Sequence, residues 1–241
     1  MVAVSLLEIS GLTKRFGGLL AVSGFDLTLD AGDIVGLIGP NGAGKTTAFH
    51  LVSGFQSPTA GSIRFRGGSI VGLKPHAICR LGLARTFQIV QPFAGLSVIE
   101  NVMVGAFNRE PDAAAARRLA GEIVEFVGLG PRRDVPARSL TLSDRKRLEI
   151  ARGLATRPEM LLLDEAMSGL NPTEIDEIIG LIRRIHDRGV TLLIIEHVMQ
   201  AIMALSDRLV VLHHGEKLAE GAPADVARDR RVIEAYLGEG A

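Results

Sequence analysis

Hydrophobic and polar residues follow one another along the chain in patterns that predict an α/β protein. Two runs near the N-terminus, SLLEIS and GFDLTLD, alternate well enough to be sheet strands, and GSIRFRG predicts a further strand. Three compact apolar runs, GDIVGLIG, EMLLLDEA and VTLLIIEH, have no polar face and predict strands buried on both sides. Strands alternate with helical patterns in this part of the chain, so we expect a parallel sheet covered by helices.

Helical periodicity is clearest in the middle third of the chain. It predicts a helix from Lys45 to about Ser53, and a mostly helical region from about Pro75 to Gly130 that includes SVIENVMVGA and DAAAARRLAGEIVEFVGL. The stretch PTEIDEIIGLIRRIHDRG predicts a helix ended by Gly189. Further on, LVVLHHGEKLAEG predicts a hairpin, and DRRVIEAYLG predicts a final helix.

The order of these elements predicts one α/β domain over residues 1–241. Its core would be a mostly parallel sheet, and an antiparallel β subdomain would precede that sheet at the N-terminus. A helical subdomain would be inserted at about residues 90–155. The hairpin and the last helix would occupy about residues 205–241.

Composition and charge narrow the class of function. The 27 Lys and Arg balance the 27 Asp and Glu, so no nucleic-acid surface is expected. The single cysteine, Cys79, excludes an internal disulfide framework and fits a reducing compartment. The longest apolar run is too short to cross a bilayer, and the first ten residues lack the features of a signal peptide. We expect a cytoplasmic protein whose contact with a membrane is peripheral.

The stretch GPNGAGKTT predicts a phosphate-binding loop. It matches G-x-x-x-x-G-K-[ST] between a predicted buried strand and a predicted helix, a context that argues against a chance match. Its glycines let the backbone turn tightly and direct N–H groups inward, forming an anion nest at a helix start. Lys45 is expected to reach the outer phosphates, and Thr46 to offer its hydroxyl to Mg²⁺. The predicted nucleotide-binding residues of this loop are Gly39, Pro40, Asn41, Gly42, Ala43, Gly44, Lys45, Thr46 and Thr47.

Two further buried strands end in residues suited to nucleotide hydrolysis. Asp164 closes MLLLD and is expected to hold the Mg²⁺ shell. Glu165 would point toward the γ-phosphate and could polarise an attacking water. His197 closes TLLIIEH and could hydrogen-bond the γ-phosphate, because ligands bind at the carboxyl ends of parallel strands. Each strand end alone would be ordinary, and Gln88 in ARTFQ is by itself a weak signal.

The phosphate-binding loop, Gln88, the acid pair and His197 follow one another in this order along the chain. In this arrangement the chain resembles the ATP-binding subunit of an ABC transporter over essentially its whole length. The motifs are the GPNGAGKTT loop, Gln88, LLLDE, the SGLN loop at residues 168–171, and His197. The resemblance implies an ABC ATPase fold, with a P-loop NTPase core that binds ATP and Mg²⁺. It also implies that Gln88 contacts the metal or the water. Phe16 would stack on adenine, with Val22 nearby.

The resemblance assigns the signature turn, usually L-S-G-G-Q, to LTLSD. In the family this turn contacts ATP held by the other subunit of a dimer. Hydroxyls remain at two positions, but two glycines and the glutamine of the pattern are replaced. We therefore expect a weakened or altered composite site. The residues concerned are Leu140, Thr141, Leu142, Ser143 and Asp144.

Two other features bear on the dimer. Arg145, Lys146 and Arg147 are expected in the first turn of the helix after LTLSD, where the helix dipole disfavours cations. They would face either the partner's γ-phosphate or solvent. Asn171 replaces the usual aspartate of the SGLN loop, which could alter communication across the dimer.

Within the family, the chain resembles the ATPases of branched-chain amino acid importers. The stretches that carry this resemblance are FGGLLAVSGFDL, LVSGFQSPTAGSIRF, LARTFQIVQPFAGLSVIENVMVGA, RLEIARGLATRPEMLLLDEAMSGLNP and VIEAYLG. The ARTFQ form resembles the first of two ATPase subunits. The resemblance implies a heterodimer with a paralogous ATPase, two integral membrane permease subunits and, indirectly, a periplasmic or extracellular solute-binding protein. It implies no nucleic-acid partner and a location on the inner face of the cell membrane.

The surface that couples to the membrane subunits would lie on the helical insertion. An apolar set there, which could equally be core, consists of Phe93, Leu96, Val98 and Ile99. Four alternatives stay open. The chain could serve a transporter of urea, short amides or aromatic compounds, or an exporter of lipid or polysaccharide. It could be a regulatory subunit that hardly hydrolyses ATP, or a non-transport ABC ATPase acting on DNA or ribosomes.

Overall fold

The computed structural model describes residues 5–87 and 91–237, and its strands form two sheets. The strands are β1 (Leu7–Phe16), β2 (Leu19–Leu29), β3 (Ile34–Ile38), β4 (Ala60–Phe65), β5 (Gly68–Ser69), β6 (Leu83–Arg85), β7 (Met160–Asp164), β8 (Thr191–Ile195), β9 (Arg208–His213) and β10 (Glu216–Gly221). The helices are α1 (Lys45–Val52), α2 (Pro75–Leu81), α3 (Val98–Ala106), α4 (Ala113–Phe126), α5 (Leu142–Leu154), α6 (Pro172–His186), α7 (Met199–Leu205), α8 (Pro223–Val226) and α9 (Arg230–Leu237).

The N-terminal sheet is antiparallel and has the strand order β2-β1-β4-β5. Its first two strands are longer than the predicted runs, because β1 and β2 continue toward one tight turn after Phe16. On β1, Leu7 and Ile9 are buried while Glu8 between them is partly exposed, the alternation of a sheet with one covered face. This sheet brings Phe16 to the edge of the central site.

The larger sheet has the order β10-β9-β3-β8-β7-β6, with only β10 antiparallel to its neighbour. Every residue of β3, β7 and β8 is buried, as the three unbroken apolar runs predict. Parallel strands end at the same edge, so the loop after β3, the acids after β7 and His197 after β8 converge there. The two sheets together confirm the predicted fold class.

Strand β6 corrects the sequence interpretation. The pattern from about Pro75 to Gly130 predicts mostly helix, but Leu83–Arg85 is a strand that pairs in parallel with β7. A strand of three residues is too short to show a period of two, and helix α2 ends directly before it at Gly82. The correction matters for the site because β6 carries Arg85.

Helices α3, α4 and α5 occupy most of the stretch assigned to the helical insertion, and each has a side-chain N-cap. These caps are Ser97, Asp112 and Thr141, residue types whose oxygens accept the free N–H groups of the first turn. The apolar faces of these three helices and one face of the larger sheet belong to a single buried hydrophobic cluster. Within the two described segments, no helix is both long and apolar enough to cross a membrane.

Helix α5 begins three residues earlier than the sequence analysis expects. Its cap is Thr141 and its first turn contains Asp144, so the cations that begin at Arg145 lie in the following turn. The expected clash of cations with the helix dipole is therefore wrong, because the dipole effect falls off within the first turn and the first turn is acidic.

Candidate nucleotide site

The loop between β3 and α1 is shaped by glycines at positions that accept no side chain. Gly39 has φ +147°, and a Cβ there would lie 2.0 Å from the carbonyl oxygen of Leu212. Gly44 has φ +104°, and a Cβ there would lie 2.5 Å from the carbonyl oxygen of Ala21. Gly44 is the N-cap of α1 and has no side chain that could bond the N–H groups of the first turn. This is the geometry of an anion nest at a helix start.

Lys45 folds over the same loop. Its side chain is almost fully buried, and Nζ donates hydrogen bonds to the carbonyl oxygens of Gly39 at 2.6 Å and Pro40 at 2.8 Å. The ammonium group therefore lies against the backbone that encloses the nest, within reach of an anion held there.

A cavity of about 530 Å³ opens above the loop. Its floor is formed by the predicted phosphate-binding residues from Asn41 to Thr47, and its opposite wall by Phe16. The predicted Val22 is fully buried in the core, and its neighbours Leu19, Leu20 and Ala21 line the wall instead. His214 also lines the cavity, a residue that sequence reasoning missed. The tip of the β9–β10 hairpin brings it there, because the N–H of Gly215 bonds to the carbonyl oxygen of Ala43.

Glu165 and His197 meet at the cavity. Nε2 of His197 lies 2.9 Å from Oε1 of Glu165, and both residues line the cavity wall. Glu165 has φ +49°, a conformation that few non-glycine residues adopt and that costs energy to hold. Two contacts hold it: its N–H donates to Ile195 O at 2.9 Å, and its carbonyl accepts from Lys146 Nζ at 2.7 Å.

Asp164 lies beside Thr46 at the edge of a second cavity of about 480 Å³. The aspartate is 1% exposed, and its Oδ2 accepts a hydrogen bond from Arg85 at 2.8 Å. Its Oδ1 is buried and has no hydrogen-bond partner among the described residues. An orphaned carboxylate oxygen and a threonine on the same cavity fit the oxygen ligands that Mg²⁺ prefers. Gln88, the third predicted metal contact, lies outside the described residues.

The signature turn is arranged as a helix cap. The Thr141 hydroxyl donates to Asp144 Oδ2 at 2.8 Å and accepts the Asp144 N–H at 3.2 Å. Arg132 also pairs with this carboxylate, so the charge of Asp144 is balanced within the chain. The side chain of Ser143 is buried, as is Leu140, whereas Leu142 remains 47% exposed. Of the two expected hydroxyls, one therefore serves the cap and the other lies in the interior.

The three cations after this turn have acceptors within the same chain. Arg145 donates to Arg138 O at 2.9 Å, and Arg147 donates to Val127 O at 3.1 Å and pairs with Glu177. Lys146 is the one that reaches the site, through its bond to the Glu165 carbonyl. Burial lowers the pKa of Lys146, an effect opposed by carboxylates around it.

Two more residues brace the loops near the acids. Asn171 caps α6 and forms a reciprocal capping box with Glu174, so the asparagine fills the structural place that an aspartate cap would fill. Glu196 is buried and accepts the N–H of Met167 at 2.8 Å, which ties the end of β8 to the loop after the acids. Burial raises the pKa of Glu196. Its place directly before His197 was the only sequence signal for it.

The apolar set proposed for coupling divides in two. Phe93 and Leu96 are exposed, whereas Val98 and Ile99 are fully buried. The loop that presents the exposed pair is held by Asn101, which is buried and hydrogen-bonds to both N and O of Phe93.

A phosphate-binding loop, an acid pair and a histidine at one edge of a parallel α/β sheet define a P-loop nucleotide hydrolase. Comparison with known proteins assigns its family. The family described as "ABC transporter" matches residues 22–168, and "Branched-chain amino acid ATP-binding cassette transporter" matches residues 216–241. The chain therefore belongs to the ABC transporter family and is its ATP-binding, ATP-hydrolysing subunit.

Individual relatives support this assignment along the whole chain. The high-affinity branched-chain amino acid transport ATP-binding protein BraF of Pseudomonas aeruginosa is 42% identical over 97% of this chain and 98% of its own. The corresponding protein LivG of Escherichia coli is 43% identical with the same coverage. Among solved structures, the ADP conformation of MJ1267, an ATP-binding cassette of an ABC transporter, has a TM-score of 0.89 at 29% identity. It covers 98% of this chain and 99% of its own.

Proposed function

We propose that this chain hydrolyses ATP to drive the import of branched-chain amino acids or a related small polar solute. The full-length similarity to two ATP-binding proteins of branched-chain amino acid transport carries this proposal. The match of the C-terminal 26 residues to a family named for the same transport supports it at the end of the chain.

ATP would lie in the larger cavity. Phe16 is 43% exposed at the wall, which leaves its ring accessible for stacking on adenine. The phosphates would follow the loop to the start of α1, where backbone N–H groups and Lys45 oppose their charge. His214 would flank the same side of the nucleotide as Phe16.

Mg²⁺ would be held by the Thr46 hydroxyl and by Asp164, with Gln88 as a further contact. Two observations support this assignment: Oδ1 of Asp164 has no hydrogen-bond partner among the described residues, and Thr46 and Asp164 line the same cavity. A bound Mg²⁺ neutralises charge that develops on the phosphate oxygens. The protein's part is to hold Asp164 at a fixed place beneath the phosphates.

Glu165 would orient and activate the attacking water, and His197 would hydrogen-bond the γ-phosphate. Their contact at 2.9 Å supports a shared role, since the histidine can orient the carboxylate. The loop and Lys45 would stabilise the transition state by charge and position.

A second ATPase subunit would complete each site across a dimer, and we propose a paralogue in that place. The exposed Leu142 stands at the first position of α5, where the family pattern has glycine. The balanced charge of Asp144 removes one objection to a partner's phosphate at this turn. Leu142 remains the residue that would limit close approach.

The permease subunits would dock at an exposed apolar patch, one member of which, Phe87, also lines the second cavity. The patch consists of Phe55, Phe87, Phe93 and Val104, which are 41–50% exposed. Phe55 and Phe87 pack edge to face at 5.5 Å, so the patch has a defined shape. Exposed apolar groups gathered in this way are typical of a binding surface. The chain would thus lie on the inner face of the membrane.

Reconstitution tests the proposed substrate. The chain, its partner ATPase and the permease subunits are placed in proteoliposomes, and ATP hydrolysis is measured with solute-binding protein loaded with leucine, urea or an aromatic acid. We expect stimulation by the leucine-loaded protein and none when Lys45→Ala is used in both ATPases. Stimulation by urea or an aromatic acid but not by leucine would reject the proposed substrate.

A further inference from the structure

Arg85 at the end of β6 is the buried counterion of Asp164. Its Nη2 lies 2.8 Å from Asp164 Oδ2, and the two side chains are 5% and 1% exposed. Its Nη1 donates to the Ser53 hydroxyl at 3.2 Å, which anchors the guanidinium to the end of α1. Removing one partner of a buried pair leaves an uncompensated charge, so each of these two residues depends on the other.

Aromatic rings fix the plane of the same guanidinium. Its central carbon lies 5.7 Å from the ring centre of Phe49, 5.8 Å from Phe55 and 5.4 Å from Phe87. Arginine can stack on rings while its N–H groups donate in the plane, which lysine cannot do. Arg85 is therefore held by Ser53 and by the three rings as well as by Asp164.

The carboxylate of Asp164 has one oxygen committed to Arg85 and the other buried without a partner among the described residues. Asp164 and Thr46, the two proposed metal ligands among the described residues, line the same cavity. The other titratable groups around this cavity are His50, Glu149 and Arg152. Arg152 pairs with Glu149 at 3.0 Å, so Arg85 is the cation in direct contact with Asp164.

We infer that Arg85 is a positioning residue that neutralises Asp164 in the metal-free site and competes electrostatically with Mg²⁺ for it. This inference rests on the proposed metal-binding role of Asp164. A cation in contact with a metal ligand lowers the affinity of that ligand for the metal, because the cation offsets the negative charge that attracts the metal. The pair thus weakens the hold of Asp164 on the metal and keeps the buried carboxylate compensated when the site is empty.

The test measures how strongly Mg²⁺ strengthens nucleotide binding. The affinity of the full chain for a fluorescent ADP analogue is measured with Mg²⁺ and with EDTA, and the ratio of the two affinities reports the metal's coupling. For Arg85→Met, which keeps an apolar stem on the rings, we expect a ratio several-fold larger than in the parent. The matched control Arg152→Met, in the same cavity but not in contact with Asp164, is expected to keep the parent ratio. An unchanged or smaller ratio in Arg85→Met overturns the inference.

Asp164→Asn separates the two proposals. If this variant keeps the parent ratio, Asp164 does not serve the metal, and the proposed function of the residue fails. If Asp164→Asn lowers the ratio while Arg85→Met leaves it unchanged, only the role of Arg85 fails.

The double variant Arg85→Met/Asp164→Asn removes both charges. It allows the inference to be tested even if Arg85→Met alone does not fold. We expect its melting temperature without nucleotide to exceed that of Arg85→Met, because no buried charge is left unpaired. We also expect its metal ratio to equal that of Asp164→Asn, because Arg85 acts through Asp164. A double variant whose ratio differs several-fold from that of Asp164→Asn would contradict the inference.

Discussion

Glu165, the proposed catalytic acid, has a strained backbone. Its φ of +49° persists because Lys146 bonds its carbonyl and the backbone of Ile195 bonds its N–H. Strain of this kind is kept only where the surroundings over-determine the conformation. Lys146 is therefore a support for the acid, and it explains why one of the cations of α5 is buried.

The first prediction concerns Glu165→Gln. The amide keeps the size of the side chain, so ATP binding should be retained, whereas loss of the carboxylate should slow hydrolysis by about 10²-fold or more. Nucleotide affinity and phosphate release are measured on the assembled transporter. Glu159→Gln, at an exposed glutamate paired with Arg66, is the control and should behave as the parent. Parent-like turnover in Glu165→Gln would remove the residue from its assigned role.

The second prediction concerns pH and Glu149. Burial raises the pKa of this carboxyl, and Arg152 and the N–H of Phe87 offset part of the effect. A raised pKa means that the folded state binds the proton more tightly than the unfolded state. The stability contributed by protonated Glu149 is therefore present at low pH and is lost as pH rises from the unfolded pKa through the raised one.

The glutamine of Glu149→Gln cannot ionise, so the variant does not lose stability as pH rises through this window. The free energy of unfolding of the variant minus that of the parent should rise with pH across that window, by about 1.4 kcal/mol per unit of raised pKa. Urea unfolding between about pH 4 and pH 8 measures the difference. Exposed Glu122→Gln is the control and should show no comparable rise. A difference that stays constant or falls with pH would show that burial does not dominate at Glu149.

Residues of the site could be predicted where their neighbours in sequence are also their neighbours in space. The phosphate-binding loop and the acid pair are such cases, because short motifs specify them. Arg85 and His214 reach the site from β6 and from the tip of the β9–β10 hairpin, which no local pattern connects to it. Val22 shows the opposite error: it is near the wall in sequence, but strand alternation turns it into the core.

At the scale of elements, segments with a clear hydrophobic pattern were predictable, whereas a strand of three residues was not. The three buried strands and helices α3, α4 and α6 follow their sequence patterns. Strand β6 has three residues and gains its identity only from pairing with β7. The start of α5 could have been found, since threonine followed three residues later by an acid is a helix-start signal.

The third prediction follows from that cap. Thr141→Ala removes the oxygen that accepts the Asp144 N–H, and should lower the free energy of unfolding by about 1 kcal/mol. Thr141→Ser keeps the hydroxyl and should stay within a few tenths of a kcal/mol of the parent. Denaturant midpoints at constant slope measure both changes. Equal stability of Thr141→Ala and the parent would show that the hydroxyl contributes nothing as a cap.

At the scale of the molecule, one chain presents a complete loop with its acids on one side and an unusual signature turn on the other. We expect the exposed Leu142 to make the two ATP sites of the proposed dimer unequal. A partner with an ordinary signature turn would then complete this chain's own site, while the partner's site would receive LTLSD.

The fourth prediction tests this asymmetry. The Glu165→Gln protein is mixed with ATP, alone and with the paralogous ATPase, and its mass is measured in solution. We expect dimers only in the mixture, because Leu142 hinders two copies from closing on each other's ATP. Replacing it by Leu142→Gly should allow the protein to dimerise alone. Dimerisation of the Leu142-containing protein by itself would show that the turn supports a full site.

Helix α5 also has a mechanical consequence. It is one uninterrupted rod of 13 residues, about 20 Å long at 1.5 Å per residue. Lys146, the fifth residue of the rod, donates to the Glu165 carbonyl, and the guanidinium of Arg152 lies over the ring of Phe93 at 5.1 Å. Arg152 is six residues further along, about 9 Å from Lys146 along the helix axis. We expect such a rod to pivot as a unit about its bond to Glu165. A tilt of about 5° at this bond would shift the far contact by about 0.8 Å at this rise per residue.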